Sequence, residues 1–88
     1  MAVSPDAIRV YQYLVARGLN PYAAAGLTGN LISESRLNTG AANPRDPGGS
    51  YGIGQWNRER RAALNAWRDP NAKDELERQL SFLMHCQA

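Results

Sequence analysis

Between Asn38 and Gly54 the chain reads NTGAANPRDPGGSYGIG, which holds five of its eight glycines and two of its five prolines. No hydrophobic period of helix or strand runs through it, whereas the segments on both sides carry helical spacing. A connection of that length with no element of its own is unusual in a compact domain, and ordered loops of this kind often carry function. Pro44 and Pro47 argue against an extended sheet, so a short hairpin around Gly48-Gly49 is the most regular structure expected there. The chain is therefore constrained to an all-α fold of four to five helices, divided by one long Gly/Pro-rich loop or minimal hairpin.

The helices before the loop announce themselves twice in the same way. Ser4 is a good N-cap, followed by Pro5 at the first helical position and Asp6 in the first turn. Ala7, Val10, Tyr11, Leu14 and Val15 then form an amphipathic stripe that ends at Gly18. Asn20-Pro21 repeats the signature, and a second helix is predicted from Tyr22 to Ser35 with a stripe of Ala24, Leu27 and Leu31. After the loop, Ala62, Ala63, Leu64 and Trp67 mark a third helix that stops at Asp69-Pro70. A last helix is predicted to be capped near Asn71, with Leu76, Leu80, Leu83 and Met84 on its buried face.

Composition excludes several function classes. At 88 residues and 43% hydrophobic content, the chain has room for one globular domain, residues 1–88, and is not disordered. No apolar run nears the ~18 residues of a membrane span, and no secretory signal is visible. One cysteine, Cys86, allows no internal disulfide, and no Cys/His cluster suggests a metal. Ten Lys+Arg against eight Asp+Glu leaves a net charge of +2, without the dense basic patch of a nucleic-acid binder. A helix-turn-helix centred on Ala25 and Gly29 fits poorly, because Ser35 stands where an apolar residue would lock the recognition helix. Because the final helix is still amphipathic at its last residues, the sequence also reads as a domain excised from a longer chain.

Glu34 is the informative residue. It follows Leu31 by three and Leu27 by seven, which puts it on the predicted apolar stripe of the second helix and in its last turn. Partial burial and the negative end of the helix dipole both disfavour a charged carboxylate there. A carboxylic acid kept neutral is what a general acid for glycosidic cleavage requires. The plainer alternative is a helix end where Glu34 turns to solvent or pairs with Arg36. Ala25, Gly26, Gly29 and Ser33 put small groups on another face of the same helix. Each interior glycine costs up to ~1 kcal/mol relative to alanine, so close helix packing is expected on that face.

Ser50-Tyr51-Gly52-Ile53-Gly54-Gln55-Trp56 is the second constellation. Glycines let backbone approach a ligand, and Tyr51, Gln55 and Trp56 offer stacking faces and an amide suited to sugar rings and their substituents. Trp56 fits equally well as a core anchor for the third helix. Arg58-Glu59-Arg60-Arg61 reads as a solvated face, or as an arginine propping the loop that contains Gln55. His85 and Cys86 are expected at the surface, with no chemistry assigned.

Taken together, these residues resemble the lysozyme-like superfamily of peptidoglycan-cleaving glycosidases, which includes goose-type lysozymes and lytic transglycosylases. Within it the chain is most similar to phage-tail lysozymes. The likeness rests on Ala24-Ala25-Gly26, Gly29-Asn30-Leu31, Glu34-Ser35-x-Leu37-Asn38, Gly52-Ile53-Gly54-Gln55-Trp56 with Arg60 nearby, and Gln79-Leu80-x-Phe82-Leu83, in that order across nearly the whole chain. No Ala-Tyr-Asn-like motif of the lytic transglycosylases follows, and the chain is shorter than most members.

The resemblance implies a lysozyme-like helical domain that cleaves the β-1,4 bond between N-acetylmuramic acid and N-acetylglucosamine. It implies Glu34 as general acid, Ser35 beside it as a supporting or substrate-binding residue, and Gln55 as lining the cleft. Tyr51, which the family pattern does not match, and Trp56 are further candidate substrate-binding residues from their side-chain chemistry. A hydrolase also needs an activated water or a second carboxylate, and Asp46 is the one loop acid available, although its prolines read more simply as a turn. A lytic transglycosylase needs no second carboxylate, and a non-catalytic wall-binding or tail-structural module is a third alternative. The implied partners are peptidoglycan glycan strands and other tail or lysis proteins, with no nucleic acid, membrane, metal or cofactor. The protein is expected to be a monomer in the phage tail, or to be released to the bacterial wall or periplasm.

Overall fold

The computed structural model describes residues 4–43 and 49–87. Four helices follow one another: α1 (Pro5–Ala16), α2 (Pro21–Ser35), α3 (Arg58–Ala66) and α4 (Glu75–Gln87). Both proline-marked starts form as the sequence predicts. Ser4 Oγ accepts the Ala7 N–H at 3.1 Å, and Asn20 Oδ1 accepts the Tyr22 N–H at 2.8 Å. In each case the side chain satisfies one of the donors that a helix start leaves unpaired. On α1 the buried residues are Ala7, Val10 and Leu14, and α1 packs on α2.

The last helix starts later than expected. Asp69 Oδ1 accepts the Asn71 N–H at 2.9 Å, so Pro70-Asn71 belongs to a side-chain-closed turn and Asn71 caps nothing. Asp74 takes the capping role, with Oδ1 accepting the Glu77 N–H at 3.1 Å. The third helix is also shorter than its pattern suggested, because Trp67 is already extended at φ −67° and ψ 133°. Arg78 of α4 closes that end by donating from Nη1 to the carbonyls of Leu64 and Trp67 at 2.7 and 2.9 Å. Those carbonyls, which also accept from the Trp67 N–H and from Arg68 respectively, lie at the negative end of the helix, where a cation is favourable.

Between α2 and α3 the chain forms the smallest antiparallel arrangement that can be called a hairpin. Tyr51 lies at its centre, bridged to Ala42 on one side and Trp56 on the other. The first pairing is closed by Asn43 N–H to Ser50 O (3.1 Å) and Gly52 N–H to Ala41 O (2.8 Å). The second is a reciprocal pair between Tyr51 and Trp56 at 2.8 and 3.0 Å. The turn expected around Gly48-Gly49 falls largely on residues 44–48, outside the described residues, as does Asp46. Ile53, at the tip of the 52–55 turn, is fully buried and belongs to one core cluster with Val10 and Leu14 of α1, Leu64 of α3 and Leu80 of α4. The loop is thus pinned to the helices through its own apolar tip, a contribution of about 1.5–3 kcal/mol for a buried isoleucine.

Candidate active site

The end of α2 sets the position of Glu34. Its inward face is Ala24, Thr28, Leu31 and Ser35, so the buried stripe is turned away from the Leu27–Leu31–Glu34 line that apolar spacing suggested. Two hydroxyls make this rotation tolerable. Thr28 Oγ1 donates to Ala24 O at 2.7 Å, and Ser35 Oγ lies 3.0 Å from Leu31 O, so buried polar groups are paired within the helix. Glu34 is consequently exposed, which corrects the expectation that desolvation by the stripe would hold it neutral. It still occupies the last turn of α2, and it makes no ion pair with Arg36 or any other cation among the described residues.

Directly after Ser35 the chain reverses through two left-handed residues, Arg36 at φ +55° and Leu37 at φ +61°. Such a conformation costs an L-residue about 1–2 kcal/mol. Burial of the Leu37 side chain, 6% exposed, and a 3.2 Å bond from the Leu37 N–H to Ser35 Oγ offset it. Ser35 is 8% exposed, and its hydroxyl also approaches Ile53 O at 2.8 Å, joining the end of α2 to the 52–55 turn. The direct glycan contact expected of Ser35 is therefore replaced by an internal tie. The close packing expected at Gly26 and Gly29 is likewise absent, since a Cβ at either would meet nothing within 4 Å.

The 52–55 turn is shaped by what lies beneath it. Gly52 has φ +85°, and a Cβ there would come within 2.7 Å of Gln79 Oε1. A Cβ on Gly54 would come within 2.6 Å of the Trp56 ring. The turn thus lies directly on the indole, an approach that only glycine permits. Trp56 is 5% exposed and meets Phe82 edge-on at 5.1 Å, which makes it a core anchor whose remaining surface reaches the cleft. Gln55, at φ +49°, donates from Nε2 to both Ala41 O (3.1 Å) and Gly52 O (2.9 Å). With both N–H groups on carbonyls, the amide orientation is settled and Oε1 remains as an acceptor.

Gln79 holds this assembly from below, and its part was not foreseen from sequence. It is 0% exposed. Its Oε1 accepts the Ile53 N–H at 2.9 Å, and its Nε2 donates to Thr39 O at 2.9 Å and to Glu75 Oε2 at 2.8 Å. Glu75 in turn receives two 2.7 Å bonds from Arg78. Those bonds, followed by the one from Gln79, hold the Glu75 carboxyl below the ordinary glutamate value. The signal was its spacing, since Gln79 shares a face with Leu76, Leu80 and Leu83, where an amide must find buried partners. Arg61 props the other limb, as one reading of the basic run suggested. Its Nη1 donates to Gly49 O at 2.9 Å and its guanidinium lies 4.8 Å over the Tyr51 ring.

These elements enclose a cleft of about 350 Å³, lined by Glu34 with Asn30 and Leu31 of α2, by Gly54, Gln55, Trp56 and Asn57, and by Arg60 and Leu83. Glu34, Gln55 and Trp56 are brought together there, Ser35 lies behind the wall, and Tyr51 is not among the described residues that line it. Glu34 is the one carboxylate among those lining residues. An outward acid at a helix end thus shares a cleft with an amide on a glycine turn that lies on an indole, in an all-α domain consistent with the lysozyme-like class. The chain belongs to the phage tail lysozyme family, whose model matches residues 6–87. No curated protein and no solved structure matches it. Membership of that family associates the protein with the phage particle and with action on the bacterial cell wall.

Proposed function

We propose that the protein is a muramidase that cuts the β-1,4 bond between N-acetylmuramic acid and N-acetylglucosamine, with Glu34 as its acid. The observation that carries this reading is the placement of an unpaired Glu34 carboxyl in a cleft whose other polar side chains are uncharged amides, an indole and one arginine. In the first step the protonated carboxyl gives its proton to the glycosidic oxygen as the bond to the anomeric carbon breaks. The resulting carboxylate then takes a proton from the water that attacks the oxocarbenium-like centre. Gln55 Oε1 accepts an N–H or O–H of the sugar and helps to orient it, and Arg60 donates to hydroxyl or carboxylate groups of the strand. In this reading the protein is a monomer acting on glycan strands, with other tail or lysis proteins as further partners, as a tail component or after release at the wall.

A second reading is favoured by the single carboxylate among the described lining residues. In a lytic transglycosylase the muramoyl hydroxyl attacks internally and gives its proton to Glu34, so no second carboxylate is required. Purified peptidoglycan incubated with wild type and with Glu34→Gln, followed by mass spectrometry, tests both. A muramidase gives reducing muramic ends, the transglycosylase gives anhydro-muramoyl ends, and either activity falls at least about a hundredfold in Glu34→Gln, as loss of acid catalysis demands. Wild-type protein that binds wall material without releasing fragments would make the fold a non-catalytic wall-binding module. Mutant activity within a few-fold of wild type would remove Glu34 from the chemistry.

A further inference from the structure

The cleft does not end at Arg60. The same side chain lines a second concavity of about 440 Å³ between α3 and α4, where Ala63, Trp67, Phe82 and His85 supply most of the remaining wall. Trp67 is half-buried and held from several directions. Its indole N–H donates to Ser81 Oγ at 2.8 Å, the His85 ring stacks on it at 4.5 Å and 28°, and Phe82 meets it edge-on at 6.0 Å. His85, Ala63 and Arg60 are all exposed, and neither the His85 ring nitrogens nor the Arg60 guanidinium has a hydrogen-bond partner among the described residues. An aromatic floor bordered by exposed side chains free to exchange water for a ligand therefore lies beside the Glu34 cleft.

We propose that this concavity is a further saccharide subsite, which takes a sugar of the same glycan strand beyond the units bound at Glu34. The inference rests on the reading of the Glu34 cleft as a glycan site. A pyranose presents C–H groups on one face and hydroxyls around its edge. The first suit the Ala63–Trp67–His85 surface, and the second suit donors such as Arg60 and the imidazole. Because the Trp67 ring is already held by Ser81 and Phe82, little ordering entropy is lost there when a sugar settles on the surface. The continuity through Arg60 selects the occupant: a polymer already in the cleft reaches this surface simply by being longer.

The test uses β-1,4-linked N-acetylglucosamine oligomers of two to six units, titrated into isotopically labelled Glu34→Gln protein so that nothing is turned over. The indole N–H signals of Trp56 and Trp67 report the two sites separately by NMR. The Trp56 signal is expected to move with every oligomer that binds, and the Trp67 signal only with the longer ones. Since His85 is exposed, His85→Ala leaves the core intact. It is expected to weaken the hexamer about tenfold, the scale of one aromatic contact, while leaving the dimer unchanged. Ala63→Glu, which fills the groove from the α3 side, should do the same. Movement of Trp56 but not Trp67 with the hexamer overturns the subsite and leaves the cleft reading standing. Equal weakening of dimer and hexamer by His85→Ala overturns it as well. If Trp67 responds but the wild type cuts no wall, the subsite stands and the muramidase reading falls; if neither tryptophan responds, both fall.

Discussion

Replacing Gln79 by methionine probes the element that joins α4 to the cleft. Methionine matches glutamine in length and flexibility, so the packing around Leu76, Leu80 and Leu83 is largely preserved while three hydrogen bonds are deleted. The cost is set by the groups left behind. Ile53 is fully buried, so its N–H loses its acceptor with no water at hand, a penalty of about 1–3 kcal/mol. Thr39 is half-buried, and its carbonyl recovers part of its loss from solvent. Glu75 keeps both bonds to Arg78, so its loss is small. The sum is about 2–4 kcal/mol, a large part of the roughly 4–13 kcal/mol expected for a domain of this length. At about 4–8 °C per kcal/mol, the Tm should fall by about 8–32 °C. Thermal denaturation gives the total, and amide exchange at Ile53, protected in wild type and fast in the variant, gives the location. Gln79→Glu sharpens the test, because it keeps the acceptor for Ile53 but turns an oxygen towards Thr39 O and the Glu75 carboxylate. The new carboxyl would hold its proton more tightly folded than unfolded, so this variant should lose stability as pH rises through the ordinary glutamate range. A Gln79→Met protein within about 3 °C of wild type, with Ile53 still protected, would refute the anchoring argument.

Three further outcomes follow from particular contacts. Gly26→Ala and Gly29→Ala, whose new methyls meet open space, should each stabilise the protein by about 0.5–1 kcal/mol; urea melts showing a loss would mean that this face of α2 is packed in solution. Gln55→Ala should lower the Tm as well as activity, because the amide ties Ala41 to Gly52; activity lost at an unchanged Tm would assign Gln55 to glycan contact alone. Asp74, held low chiefly by the backbone N–H of Glu77, and Glu75, held low chiefly by Arg78, contribute stability that is present above their unfolded values and lost as pH falls through their folded ones. Tm should therefore decline in acid with a shallower slope in Glu75→Gln, and equal slopes would show that Glu75 titrates alike in both states.

Sequence patterns located the helices where one side chain settles the matter. Ser4-Pro5 and Asn20-Pro21 act over two or three residues, and both starts form as read. The errors arise where a polar group is buried with its own partner. An apolar period places Thr28 on the shoulder of the stripe and passes over Ser35, because it does not count hydroxyls that return to the carbonyls four residues back, and this hid the rotation of α2 that exposes Glu34. The Asp69 turn displaced the predicted cap from Asn71 to Asp74 by satisfying the local backbone first. At the site, Glu34, Gln55 and Trp56 were legible as residue types at the end of a helix and on a glycine turn. Ser35 was legible as their neighbour but not as a buried tie, and Gln79 depends on a contact with Ile53 that no local window contains.

That contact also orders events in time. Glu34 lies on α2 and the 52–55 turn follows it in the chain, but the amide that holds Ile53 and Thr39 in place is supplied by α4. Local helices close quickly, whereas a pairing between residues 40 positions apart must wait for a large loop to be brought together. Until that long-range pairing forms, Glu34 is carried on α2 without the groove that lines it in the folded domain. Assembly of the groove coincides with docking of α4, so a truncated form lacking α4 keeps the carboxylate but loses the groove.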